Sequence, residues 1–254
     1  KPSQAKPSQA KPSQAKPSLV IYSSQSCDSQ KDLVETIRIA AVGLLKAGKS
    51  TFLSAITQQQ ERFKSGVIRT TIKNQEYSDE FFSWIDTPGI DDTEQETASA
   101  FLGLKDADIV LFIHNLKQGE LDLSEMQFIQ QSIAQYPKFL SKIIFVLTHV
   151  DDVGDQAAAE IQRAIEKQCL DQLKHIATLF IVSSPRYLKG FIENKELLMQ
   201  RSNIPDLQKY LVSCYQSQKL SEMHFEILQL KKQLKRDLKT LEDAQKALEL
   251  KLVF

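Results

Sequence analysis

The 254-residue chain balances 32 Lys and Arg against 32 Asp and Glu, and 42% of its residues are hydrophobic. That is enough for one sizeable domain with appendages, with no global field to draw it to nucleic acid or a charged membrane. Cys27, Cys169 and Cys214 are widely spaced and form neither a C-x-x-C pair nor a His-paired ligand set, which reads as reduced thiols. No apolar run is long enough to span a bilayer and the first residues are polar, so the chain is expected in the cytoplasm.

Residues 1–18 repeat Lys-Pro-Ser-Gln-Ala, with Pro every fifth residue and almost nothing to bury. Residues 1–30 are therefore expected to be a disordered, weakly cationic tail. From residue 31 the pattern alternates strand and helix signals, as in an α/β domain with a mostly parallel six-stranded sheet, taken here as 31–217. Strands are expected at 36–42, 72–77, 81–86, 108–114, 142–148 and 178–183, and helices at 49–59, 94–104, 121–134, 155–172 and 205–216. Tyr77 to Phe81 is too short for a crossover helix, so the second and third strands should be antiparallel neighbours. Over 218–254, Leu220, Ile227, Leu234, Leu241 and Leu248 recur at intervals of seven, with Met223, Leu230 and Ala244 between them. This predicts a long amphipathic, coiled-coil-like helix. Lys231, Lys232, Lys235, Arg236 and Lys239 make one stretch of it basic, either a solvated face or a surface for a lipid or partner.

The chemistry begins at Gly43 to Ser50, which reads G-x-x-x-x-G-K-S between the first strand and first helix. Gly43, Lys46, Ala47, Gly48, Lys49, Ser50 and Thr51 then form a phosphate cradle. The glycines turn backbone N–H groups inward, Lys49 reaches the β- and γ-phosphates, and Ser50 ligates Mg²⁺. In open α/β sheets ligands sit beyond the carboxyl ends of the strands, and further motifs occur there. Asp86-Thr87-Pro88-Gly89 offers a carboxylate for Mg²⁺ and a Gly89 N–H for the γ-phosphate. Thr71, preferred over Thr70, can close over metal and γ-phosphate. Thr148-His149-Val150-Asp151 ends the fifth strand. Asp151 can accept both the ring N–H and the exocyclic amine of guanine, His149 can stack along the base, and Thr148 can bridge to the phosphate loop. Ser183 and Ser184 can support the base edge.

In this order these motifs resemble the P-loop GTPases of the TRAFAC class over roughly residues 33–216, with bacterial dynamin-like and Era-like GTPases the most similar groups. The segment His114 to Asp122 strengthens the likeness to the dynamin-like group. T-x-x-D stands in place of N-K-x-D and Ser-Ser in place of S-A-K, and only about 36 residues follow where a dynamin-like stalk would be expected. The resemblance implies GTP and GDP as ligands, Mg²⁺ as cofactor and GTP hydrolysis as activity.

Ile90 follows D-x-x-G, where Ras-like proteins carry a water-orienting glutamine. Hydrolysis by one copy should be slow, with the catalytic group supplied by switch backbone, a bound monovalent cation or a second copy docking across the nucleotide. Self-association through this domain or the terminal helix is expected. Lys46 occupies the loop position where potassium-dependent relatives carry Asn or Ser, and its ammonium could replace their cation; the plainer reading is a solvated lysine. Lys49, Lys46 and Thr71 are the candidate catalytic groups. Two functions remain open: a GTPase stimulated by dimerisation, with or without peripheral membrane work, or a nucleotide-gated interaction module with negligible turnover. Nothing points to a nucleic-acid partner.

Overall fold

The computed structural model describes residues 36–59, 75–90 and 94–252. Its six strands are β1 (Ile37–Val42), β2 (Gln75–Ser78), β3 (Phe82–Asp86), β4 (Ile109–Asn115), β5 (Ile143–Thr148) and β6 (Leu179–Ile181). They form one sheet in the order β2-β3-β1-β4-β5-β6. Only β2 runs antiparallel to its neighbour, and Asp79 explains its tight connection to β3. One carboxylate oxygen accepts the Phe81 and Phe82 N–H groups at 2.9 and 2.8 Å, and the other accepts the Trp84 indole N–H at 2.9 Å.

The helices are α1 (Lys49–Ile56), α2 (Glu94–Lys105), α3 (Leu123–Gln135), α4 (Val150–Val153), α5 (Asp155–Gln168), α6 (Ser184–Ile192), α7 (Glu196–Gln200) and α8 (Ile204–Leu252). The central strands are buried on both faces, as continuous apolar runs require when helices cover both sides. On one face Val42, Val110, Phe112, Phe145 and Leu147 pack with residues of α2, α3 and α5. On the other Ile39, Ala41, Leu111, Ile113 and Val146 pack with Phe52 and Leu53 of α1, Tyr187 of α6, and Ile204, Leu207 and Leu211 of α8.

Three expectations change. The helix expected at 155–172 is α5 followed by a π-turn over Cys169–Leu173. The segment after β6, for which no helix is expected, contains α6 and α7. The helices expected at 205–216 and from 218 are one uninterrupted helix, α8. Its first turns bury Ile204, Leu207 and Leu211, Gln208 Nε2 donates to Ile56 O at 3.0 Å, and Tyr215 packs edge-on against Phe81 with ring centres 5.3 Å apart. From Leu220 to Leu241 the apolar stripe lies exposed, with Leu230, Leu234 and Leu241 each more than two-thirds accessible. The 1–30 tail, Thr70, Thr71 and the start of the second expected strand lie outside the described residues. Among the described residues no helix is long and apolar enough to cross a membrane.

Candidate nucleotide site

β1, β3, β4, β5 and β6 run parallel, so their carboxyl ends share one edge of the sheet. The chain leaves β1 at Gly43, where an added Cβ would lie 2.2 Å from the Ile113 carbonyl oxygen; only glycine lets the loop pass β4 so closely. Lys46 takes a left-handed conformation with φ 61° and is exposed. Ala47 is buried and donates its N–H to Leu44 O at 3.2 Å, closing the turn. Gly48, with φ 92°, caps α1. A helix start presents N–H groups and a positive dipole end. Here these belong to the turn containing Lys49, Ser50 and Thr51, an arrangement suited to phosphate. The Lys49 ammonium is nearly buried and donates to Gly43 O and Leu44 O, each at 2.8 Å, so it lies over the mouth of the loop.

Asp86 ends β3 beside Ser50, whose hydroxyl donates to Oδ2 at 3.4 Å; Oδ1 is buried without a hydrogen-bond partner. Burial pushes the Asp86 carboxyl up to about 6, against the pull of the Lys49 charge and the Ser50 hydrogen bond. A buried, unsatisfied carboxylate oxygen beside a serine hydroxyl fits a hydrated divalent cation, which would both satisfy the oxygen and favour the charged form. Gly89 is buried in the following loop, and Ile90 N–H donates to Gly43 O at 3.4 Å, tying D-x-x-G to the phosphate loop. The Ile90 side chain is 7% exposed and packs in the core with Leu44 and Leu116, so it cannot orient water.

The Thr148 hydroxyl reaches Ala47 O at 2.7 Å and His114 O at 3.0 Å, joining β5, β4 and the phosphate loop. Its single proton is directed to these carbonyls, so His149 Nδ1, 2.9 Å away, must carry a proton and donate to it. Burial pushes the His149 pKa down, with Asp152 opposing and Lys117 assisting, which leaves a neutral ring at pH 7 whose Nε2 is an acceptor. His149 is left-handed at φ 62°, and its Cε1 would lie 3.3 Å from a Cβ added to Gly48, placing the ring against the phosphate loop.

A cleft of about 160 Å³ is lined by Gly48, Thr51, Thr148, His149, Asp151, Asp152, Ser184 and Pro185. Six of these residues were expected from motifs spread over more than half the chain. Ser183 lies just behind, capping α6 and donating its hydroxyl to Asp151 Oδ2. Ser184 Oγ is buried without a partner at the cleft wall. No motif assigns a site role to Arg186, Asp152, Lys117 or the buried His114–Glu125 pair, although His114 and Lys117 lie in the family-like segment His114 to Asp122. Arg186 binds Asp151 Oδ1 through Nη2 at 2.6 Å, and Lys117 lies 3.6 Å from Asp152. A charged residue three positions after a helix-capping serine was the available signal for Arg186.

Residues 38–149 match the family described as 50S ribosome-binding GTPase. The chain is 29% identical over 223 residues to an uncharacterized protein of Acinetobacter baylyi, covering 82% of this chain and 51% of that protein. It is 31% identical over 129 residues to the tRNA modification GTPase MnmE of Mycoplasmopsis synoviae, covering 46% and 28%. It thus spans about half the length of the first curated relative and less of the second. A solved structure of an oligomerised bacterial dynamin pair shares the fold, with a TM-score of 0.57, 16% identity, and coverage of 70% of this chain and 45% of that one.

Proposed function

We propose, on the premise that the chain carries a P-loop GTPase domain, that it binds GTP with Mg²⁺ and hydrolyses it slowly as a monomer and faster when two copies associate. The cleft supports this reading most directly: it joins Gly48 and Thr51 of the phosphate loop to Asp151 and Ser184 at the base end. Lys49 exchanges its two loop carbonyls for phosphate oxygens, and Gly89 N–H meets the γ-phosphate. Ser50 and Asp86 hold the cation, with Thr71 as the proposed closing ligand. A Mg²⁺ ion held by Ser50 and Asp86 would supply positive charge to offset the negative charge that develops on the phosphates. Asp151 accepts the guanine ring N–H and amine, His149 lies along the base, and Ser183 and Ser184 support its edge.

Ile90 bears on the rate. With its side chain in the core, the attacking water must be oriented by backbone, by Lys46 or by a second copy. The exposed stripe of α8 supports self-association, and its basic stretch from Lys231 to Lys239 supports peripheral contact with an anionic membrane from the cytoplasm. The same burial of Ile90 favours a second reading, a nucleotide-gated interaction module with negligible turnover. Multiple-turnover phosphate release across protein concentration separates the two. A specific rate that rises with concentration is expected, and no turnover at any concentration selects the second reading. Lys46→Ala should lower that rate with and without potassium; an unchanged rate removes Lys46 from the catalytic set.

A further inference from the structure

Asp151, to which base selection is assigned above, is held by two neighbours. Its Oδ2 accepts the Ser183 hydroxyl, and its Oδ1 accepts Arg186 Nη2 at 2.6 Å. The same guanidinium donates through Nη1 to Arg201 O at 2.9 Å, so both prongs of its fork are engaged. Arg186 also fixes the other neighbour, because its backbone N–H donates to Ser183 Oγ at 3.1 Å. One residue therefore braces the carboxylate by two routes, directly and through Ser183.

Arg186 does not line the cleft, whereas Asp151, Ser184 and Pro185 do. The guanidinium thus braces the carboxylate from outside the cleft, with its other prong directed to Arg201 O. A carboxylate offers about four lone-pair positions. Ser183 and Arg186 use one on each oxygen, leaving one on each, which is the number that the ring N–H and exocyclic amine of guanine require. A planar fork fixed at both ends also sets the carboxylate plane, which a flexible ammonium does less well.

We infer that Arg186 is a positioning residue for guanine selection, holding Asp151 in the orientation that reads the two guanine donors and anchoring it to the turn between α7 and α8. That turn is itself tied to the base end of the sheet: Ser183 N–H donates to Ser202 O, and Asn203 Nδ2 donates to Ile181 O, both at 2.9 Å. The inference rests on the base-reading role proposed for Asp151, and its test distinguishes failure of the two.

The experiment measures dissociation constants of the full chain with Mg²⁺ and GDP, inosine diphosphate or ADP, for wild type, Arg186→Ala and Arg186→Lys. Inosine diphosphate lacks the exocyclic amine and so forfeits one Asp151 contact; ADP reports the phosphate loop. Wild type should prefer GDP to inosine diphosphate. Arg186→Ala should lose roughly tenfold of that preference, the size of one charge-assisted hydrogen bond, while ADP affinity holds. Arg186→Lys, which keeps the charge without the fork, should fall between them and serves alone if the alanine variant does not fold. An unchanged GDP-to-inosine ratio overturns the inference, as does an equal loss for all three nucleotides, which would mark a merely structural residue. Tighter GDP binding overturns it by making Arg186 a competitor. A wild type without preference for GDP overturns the base reading of Asp151 itself.

Discussion

His114 and Glu125 are both fully buried, and every polar atom of the imidazole is engaged. Nδ1 donates to the Glu125 carboxylate at 2.9 Å, and Nε2 donates to Gly119 O at 2.8 Å. Glu125 also accepts the Asp122 N–H at 3.0 Å, closing the capping box of α3. A ring donating from both nitrogens is an imidazolium. Burial opposes that charge, but the Glu125 hydrogen bond and charge, with Gly119 and Asp122, outweigh it and raise the pKa. The pair pins the turn between β4 and α3, from which Lys117 reaches Asp152 at the cleft. His114→Leu leaves Glu125 buried without a counter-charge and should cost about 3–5 kcal/mol in urea unfolding, much of it recovered by adding Glu125→Met. The sign with pH follows from the raised pKa. The contribution of His114 is complete below the ordinary histidine value of about 6.5 and is lost as pH rises through the higher folded value. Wild-type stability should therefore decline on that alkaline side, and the double variant should lack the decline. Sequence alone offered His114 as part of a family-like segment; the pairing across an eleven-residue separation becomes legible only when β4 and α3 meet.

At the level of elements, the strands were the most readable because long apolar runs such as Ile143 to Leu147 have few alternatives to a covered parallel sheet. α6 was hidden by Pro185, which reads as a breaker but occupies the first turn, where its missing N–H does no harm. Gly190 lowers helical propensity further, yet a Cβ there would meet Lys195 O and Met199 N at 2.9 Å, so glycine is what lets α6 and α7 pack. α8 misled in the opposite sense. Ile204, Leu207 and Leu211 face the core while Leu220 onward follows a seven-residue repeat, and the change of pattern suggested two helices. No Gly or Pro occurs between Asp206 and Phe254, so nothing in the chain interrupts the hydrogen-bond ladder. The exposed stripe from Leu220 to Leu241 spans about 33 Å at the helical rise. Leu230→Glu with Leu234→Glu should leave the unfolding midpoint of the monomer within about 0.5 kcal/mol of wild type, because both positions are solvated. If the stripe carries self-association, the same variant should shift the mass measured by sedimentation toward the monomer and flatten the rise of specific GTPase rate with concentration. A rate profile identical to wild type would assign association to the α/β domain instead.

For the molecule as a whole, the candidate phosphate and base motifs stand out because the chemistry proposed for them calls for fixed residue types at strand ends, and the sheet order sets Asp86 against Ala41 of β1 and Thr148 against Asn115 of β4. What pattern could not supply was the set of partners lying far apart in the chain, such as Thr148 with Ala47 or Asp151 with Arg186. Electrostatics at Asp86 link this assembly to stability. An aspartate with an ordinary value of 3.8 pushed up to about 6 makes the nucleotide-free fold bind more protons than the unfolded chain between those values. Stability therefore falls as pH rises through that window, and holding the ionised carboxylate at pH 7 costs about 3 kcal/mol. Asp86→Asn removes the charge while keeping the shape. Nucleotide-free Asp86→Asn should unfold later than wild type at pH 7, by up to about 3 kcal/mol, and should show little advantage at pH 4. Adding Mg²⁺ with GDP at a hundred times the dissociation constant should stabilise wild type by about 2.7 kcal/mol, whereas the variant should gain no more with Mg²⁺ than with EDTA. Thermal unfolding at both pH values, with and without the metal, measures each arm. A variant less stable than wild type at pH 7 would mean that the buried carboxylate is satisfied by the fold itself, and the metal-binding role of Asp86 would lose its physical basis.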